Sequence, residues 1–358
     1  MDSIPQSRVM NSQPAGIGRI VSLGTGCAWN NLGRNVVFAD ASLRPLAVFG
    51  DTMYPKDDEA SQYDLDVHAI VELAGTDQIA TVNHLGWVRI FEPPWSLPPG
   101  PAVVPNLPEV RRLDFIDDVE RVIGLGGRLV TSRPRGQRLD GVLVTQPIAS
   151  SQQSLDAHTA QESFGFVTAL EASAAPGGTG WIALGGEGRI RLVDVDDGRL
   201  GATRWEVGVD FVAAVLVASG PSLWAAGSAQ GGAGLDDYDW EQLRGGGLAQ
   251  IDLASGAVLA SARFGEDLAW GSGGVPLVVA DGVPCGLGRG GELQALAPGA
   301  PVTTRLTGEL GPHPLGIAHA AVVGDQLVFG FNRDGYQLHR LPLSTVSRLV
   351  RRLPAHTA

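Results

Sequence analysis

A chain of 358 residues with 44% hydrophobic and 18% charged side chains has the composition of a soluble globular protein, with apolar residues enough for a large core. Its formal net charge of -12 argues against a nucleic-acid or anionic-membrane partner, since both need a basic face to displace counterions. The 49 glycines and 23 prolines leave little room for long helices and suit many short strands joined by tight turns.

The N-terminal MDSIPQSRVMNSQPAG lacks the apolar core of a secretion signal, and no apolar run approaches the length of a membrane span. Residues 1–15 read as a disordered leader, and a cytoplasmic location is expected. The two cysteines, Cys27 and Cys285, lie far apart in apolar, strand-like surroundings. Buried thiols are expected there rather than a disulfide, which suits a reducing compartment.

From Gly16 onward a repeat begins. Its first copy contains LGRNVVFADASL from Leu32, followed by HLGWVRIFEPP from His84, RLDGVLVTQP from Arg138 and GGEGRIRLVDVDDG from Gly185. RGGGLAQIDLASG from Arg244, LGRGGELQALAPG from Leu287 and NRDGYQLHRLPL from Asn332 complete seven copies at a spacing of roughly fifty residues. Each is a Gly-rich turn, a strand of alternating character and a second turn. Apolar runs such as LDVHAIVELAG and DFVAAVLVASG precede them, so each copy amounts to about four short strands. A lone four-stranded sheet cannot bury both faces, whereas seven packed about an axis can.

This pattern resembles the seven-bladed β-propeller superfamily. GRIRLVDVDDGRL is similar to the third strand and turn of WD-repeat blades, and GLAQIDLASGAVL to quinoprotein-type blades. The resemblance implies an all-β fold, a single propeller of four-stranded antiparallel blades over residues 16–345. The Gly-His and Trp-Asp pairs of WD repeats and the tryptophan docking pattern of quinoprotein blades are missing, so no family activity or cofactor carries over. Residues 346–358 form a tail that closes the ring or stays a basic amphipathic segment; alternatively, residues 18–25 close the last blade. Residues 51–64, 93–114, 150–163 and 230–244 interrupt the repeat and are where a specific surface would be built.

The resemblance also implies that the starts of the inner strands surround one mouth of a central channel. One aligned position in each copy gives Arg19, His68, Glu120, Thr168, Ala213, Ala269 and His319. In a closed ring His319, Arg19, His68 and Glu120 are neighbours facing a side of small residues, which is what a ligand pocket needs. His68, His319 and Glu120 are the candidate catalytic acid/base groups, and Arg19, His84, Thr168, Trp270 and Asn332 the candidate substrate-binding residues. A divalent metal held through His68 and His319 is an alternative, opposed by the fixed cation of Arg19, which favours an organic anion. A third reading gives the same residues structural hydrogen bonds only.

Trp181 and Trp224 read as core, while Trp95, Trp240 and Trp270 are placed to stack on a ligand or anchor a partner. Two functions follow. The first is a small-molecule site at the channel mouth, possessing acid/base chemistry of the lyase, isomerase, cyclase or hydrolase kind if it is an enzyme. The second is a protein-interaction scaffold that engages its partner through the insertions.

Overall fold

The computed structural model describes residues 3–5, 17–31, 35–50, 67–73, 78–83, 88–97, 111–113, 121–132, 142–145, 148, 157–159, 164, 167–174, 179–196, 199–229, 246–264, 277–280, 283–287, 292–297, 300–305, 317–331 and 337–351. Among them nearly every residue lies in an antiparallel strand or a tight turn.

β1 (Ser3–Pro5) stands apart in sequence from the strands it joins. β2 (Ile17–Leu23), β3 (Gly26–Asn31), β4 (Asn35–Asp40) and β5 (Pro45–Gly50) form one sheet in chain order. β6 (Val67–Leu73), β7 (Gln78–Asn83), β8 (Val88–Phe91) and β9 (Arg111–Leu113) form the next. β10 (Arg121–Leu125), β11 (Arg128–Ser132), β12 (Val142–Thr145) and β13 (Ala157–Thr159) form a third.

A seven-stranded sheet follows. It runs through β14 (Ala169–Ala174), β15 (Gly180–Gly185), β16 (Glu187–Asp196), β17 (Arg199–Ser219), β18 (Ser222–Ala229), β19 (Gly246–Asp252) and β20 (Val258–Phe264). β17 is 21 residues long because it serves two neighbours in turn: Arg199 to Gly208 pair with β16, and Phe211 to Ser219 pair with β18. Its sequence holds no proline and is rich in valine, so nothing breaks the strand between its two pairings.

β21 (Leu277–Ala280), β22 (Val283–Leu287), β23 (Glu292–Ala297) and β24 (Ala300–Arg305) make another four-stranded sheet. The last contains β25 (Ile317–Val323), β26 (Gln326–Phe331) and β27 (Gln337–Pro342), with β1 at its outer edge. Ser3 pairs with His339 and Pro5 with Gln337. Residues 3–5 therefore depart from the expected disordered leader: their backbone satisfies the open edge of β27. The C-terminal segment forms α1 (Leu343–Arg351), a helix that packs on β27, β21 and β24 and buries Val346 and Ser347. Residues 18–25 do not close the last sheet, because β2 belongs with β3.

The first strands of the repeats are spatial neighbours. β2 packs beside both β25 and β6, β6 beside β10, β10 beside β14, β14 beside β17, β17 beside β21, and β21 beside β25. The core lies between sheets. Along β15, Trp181 and Ala183 enter a cluster with Leu216 and Leu223, while Ile182 and Leu184 enter another with Val130 and Val144. Period-two alternation with both faces apolar thus buries the sheet on both sides.

One turn recurs. Gly24, Gly126, Gly220 and Gly324 each follow the last residue of a first strand with φ between 53° and 59°, a left-handed conformation that glycine adopts without steric cost. Leu43 takes that conformation without being glycine, at φ 60°, in the β4–β5 turn. It is held there by a side chain 1% exposed and by the Asp40 carboxylate, which accepts from the backbone of Ser42 and Arg44 at 2.9 Å each.

Candidate functional site

The pairing registers fix where the expected rim residues stand. Ile17 faces Asn31 while Ile20 faces Trp29, and Val67 faces Asn83 while Ala69 faces Val82. Ala213 faces Gly227 while Val215 faces Ala226, and Ile317 faces Phe331 while His319 faces Gly330. Each of these four first strands carries one extra residue near its start, a β-bulge. Counted from the pairs beyond the bulge, His68 is equivalent to Ala214 and Ala318. Arg19 is equivalent to Ala69, Val215 and His319.

The alignment expected from sequence is therefore out of step, with His68 one position and Ala213 two positions ahead of Arg19 and His319. The strands carrying the three residues are nonetheless adjacent, since β2 lies between β25 and β6. Glu120, His84, Trp270 and Asn332 lie outside the described residues, as do the insertion residue Trp240 and the ring residue Ala269.

Two of the expected rim residues, Thr168 and Ala213, are buried and touch each other. Thr168 is 3% exposed, and its hydroxyl faces the backbone carbonyls of Ala213 and, at 3.3 Å, Gly185. Its own carbonyl accepts from the Nε of the buried Arg121 at 2.8 Å. Ser132 Oγ adds a donation to the neighbouring Val167 carbonyl at 3.4 Å. These bonds run from β10 through the start of β14 to β17, so the threonine joins three first strands, a structural use of the hydroxyl.

The tryptophans divide differently from expectation. Trp181 and Trp224 are buried, as their second-strand positions imply. Trp95 packs over β3, where a Cβ on Gly26 would meet its ring at 2.5 Å, and is half-buried against the sheet. Trp205 is buried between sheet halves, and its Nε1 donates to the Leu253 carbonyl at 3.0 Å.

Two polar features went unrecognised in the sequence. Glu171 of β14 faces Ala183, a place in the repeat held by Ile20, Ile70, Val122 and Leu216 elsewhere. Burial pushes its carboxyl up to about 7, against a lowering by the Ala218 N–H that it accepts from. Aligning first strands alone would have shown it as the acid in an apolar column. The second is on β16, where Arg189 and Arg191 lie over the Phe164 ring with Glu206 of β17 opposite. Arg204 pairs with Asp194 further along the same two strands.

Among the described residues no group of three or more His, Cys, Asp or Glu side chains is arranged to hold a metal ion. No described helix is long and apolar enough to cross a membrane.

Neither a protein-family model nor a curated protein matches the sequence. Solved structures do. The β-propeller domain of Cps50 (Swd1) from Myceliophteria thermophila superposes with a TM-score of 0.61, covering 92% of this chain and 97% of that domain. The fold is a β-propeller. At 9% identity the likeness extends to the path of the propeller's backbone and carries no activity or partner across.

Proposed function

We propose that this propeller is a closed ring of seven blades and that it serves as a protein-binding platform. Closure is supported by the succession of neighbouring first strands, β25, β2, β6, β10, β14, β17, β21 and again β25. The seven-stranded sheet supplies two of the blades, with β17 as the outer strand of one and the inner strand of the next, and β1 supplies the fourth strand of the last.

The observation that carries the platform reading is on β20. Val258 and Leu259, 40% and 56% exposed, are the large hydrophobic residues most open to solvent among the described residues. On the same strand Arg263 pairs with Asp210 at 2.5 Å. An apolar centre bordered by charged groups is the arrangement of a protein interface. The test is site-specific photocrosslinking in cells that express the protein, with the reactive group at Leu259 or at the exposed control position Ser42. A discrete adduct at 259, lost with Val258→Asp and absent at 42, is expected; equal labelling at both positions would refute the reading.

A second reading rests on the adjacency of β25, β2 and β6, which brings His319, Arg19 and His68 to neighbouring strands. It makes the channel mouth a small-molecule site with acid/base chemistry. Metal analysis of the purified protein by mass spectrometry, with folded His68→Ala and His319→Ala variants, separates a metal-assisted site from an organic one.

A further inference from the structure

Leu259 stands at a break in the β19–β20 ladder. Ile251 pairs with Val258 and Gln250 with Ala260, so Leu259 is the extra residue of a β-bulge and faces no residue of β19. A bulge re-aims side chains out of the regular alternation, which is how two neighbouring apolar residues both reach solvent.

The turn beside this bulge is fixed and negatively charged. The Asp252 N–H donates to the Ala257 carbonyl at 2.8 Å, which places the aspartate next to the residue preceding Val258. Its carboxylate accepts from the hydroxyl and the N–H of Ser255 at 2.6 and 2.8 Å. Those bonds hold the carboxyl below its usual 3.8, so it is ionised at neutral pH. Trp205 secures the turn, its ring lying against Gly256 and its Nε1 donating to the Leu253 carbonyl.

Asp252 takes part in none of the ion pairs among the described residues. Arg263 is paired with Asp210, and it lies about 16 Å along the strand from Val258, beyond the screening length at physiological salt. In sequence, residues 230–267 hold seven acidic side chains against two arginines. The exposed apolar pair is thus bordered, at its turn end, by an uncompensated carboxylate.

We propose that the β19–β20 hairpin docks a segment of a partner protein in which an apolar side chain, seated on Val258 and Leu259, is flanked by a lysine or arginine that pairs with Asp252. The pairing rests on the platform reading and adds the partner's chemistry to it. The cation meets a carboxylate already held in place, so little ordering is lost when the pair forms. A second copy of this chain, with the same net charge of -12, is opposed by like-charge repulsion.

The test keeps the photoreactive group at Leu259 and reads two quantities, the adduct yield and the sequence of the crosslinked partner segment by mass spectrometry. Asp252→Asn keeps a side-chain oxygen to cap the turn and removes the charge; it is expected to lower the yield about five-fold. Asp252→Glu keeps the charge and is expected to retain most of the yield. Asp196→Asn, which removes an exposed charge on β16, is expected to retain all of it. Thermal midpoints show that each variant is folded. The partner segment is expected to be net positive. An undiminished yield in Asp252→Asn, an equal loss in Asp252→Glu or Asp196→Asn, a net negative partner segment, or an adduct between two copies of this chain would overturn the pairing and leave the platform in place. Equal labelling at 259 and 42 would remove the platform and this pairing with it.

Discussion

The Nε of Arg121, at the start of β10, donates to the carbonyl oxygen of Thr168 across 2.8 Å. Both residues are buried, and they belong to successive repeats 47 residues apart. Thr168 then hands the connection on through its hydroxyl to Ala213. The residues at the starts of these strands thus bind the blades to one another, and their polar groups are engaged by backbone.

Arg121→Met removes the donor to the Thr168 carbonyl, whereas Thr168→Val keeps that carbonyl and removes the hydroxyl bonded to the Ala213 carbonyl. Arg121→Met is expected to cost about 2–3 kcal/mol, in the range of charge-assisted bonds, and Thr168→Val about 1–2 kcal/mol. Urea denaturation should show lower midpoints at unchanged slope. An unshifted midpoint for Thr168→Val would return the hydroxyl to the pool of ligand-binding groups.

Glu171 makes stability depend on pH. Its folded carboxyl titrates at about 7, above the ordinary value of 4.5. As pH rises through that interval the unfolded chain releases its proton first, so stability is highest near pH 4.5, falls toward pH 7 and is level above it, as far as this group decides. The loss is on the order of 3 kcal/mol. Glu171→Gln should remove this slope and be the more stable protein at pH 8. Denaturation curves at pH 5 and pH 8 check it, and an equal difference between wild type and variant at both pH values would be the contrary result.

Gly256 has φ 74°, and a Cβ there would stand 2.7 Å from the Trp205 ring. Gly256→Ala is therefore doubly opposed, by backbone conformation and by overpacking, and should destabilise by roughly 2 kcal/mol or more. Because Trp205 donates to Leu253 in the same turn, its fluorescence should also change in the folded state.

What the sequence discloses is the periodic part. The turn glycines Gly24, Gly126, Gly220 and Gly324 and the turn aspartates Asp40 and Asp252 are local solutions to local geometry, and they recur with the repeat. What it conceals depends on distant segments or on uncounted residues. The pairing of Ser3 with His339 joins the two ends of the chain, and three polar or ordinary residues give no hint of it. Which residue of a first strand stands at a given place is set by its pairing with the second strand, so the one-residue offset of His68 from Arg19 and His319 is not visible within the strand itself. Thr168 was legible as a polar residue at a strand start, but its engagement with Ala213 needs the neighbouring blade in place.

β1 offers a direct check on ring closure. Removing residues 1–5 opens the edge of β27 and takes away its pairing with Ser3, Ile4 and Pro5. A lower thermal midpoint and faster amide exchange along β27 are expected, with exchange in β15 unchanged. Uniform protection in both strands would mean that the last sheet does not rely on β1.

Cys27 reports on the opposite kind of site, one closed to solvent. Its side chain is wholly buried in the cluster with Trp29, Val37 and Val328, and it forms no disulfide. Burial, helped by the negative charge of Asp40, pushes the thiol up from 9.0 to about 12. At pH 8 the native protein should therefore leave Cys27 unmodified by iodoacetamide, while the urea-unfolded chain is alkylated there, as peptide mass mapping will show. The same shift gives the alkaline limit a direction. Between pH 9 and 12 the unfolded thiol ionises and the folded one does not, so stability declines across that interval, and Cys27→Ala should flatten the decline even though it opens a small cavity. Rapid alkylation of Cys27 under native conditions would show that the first blade opens locally, and the rate would measure how often.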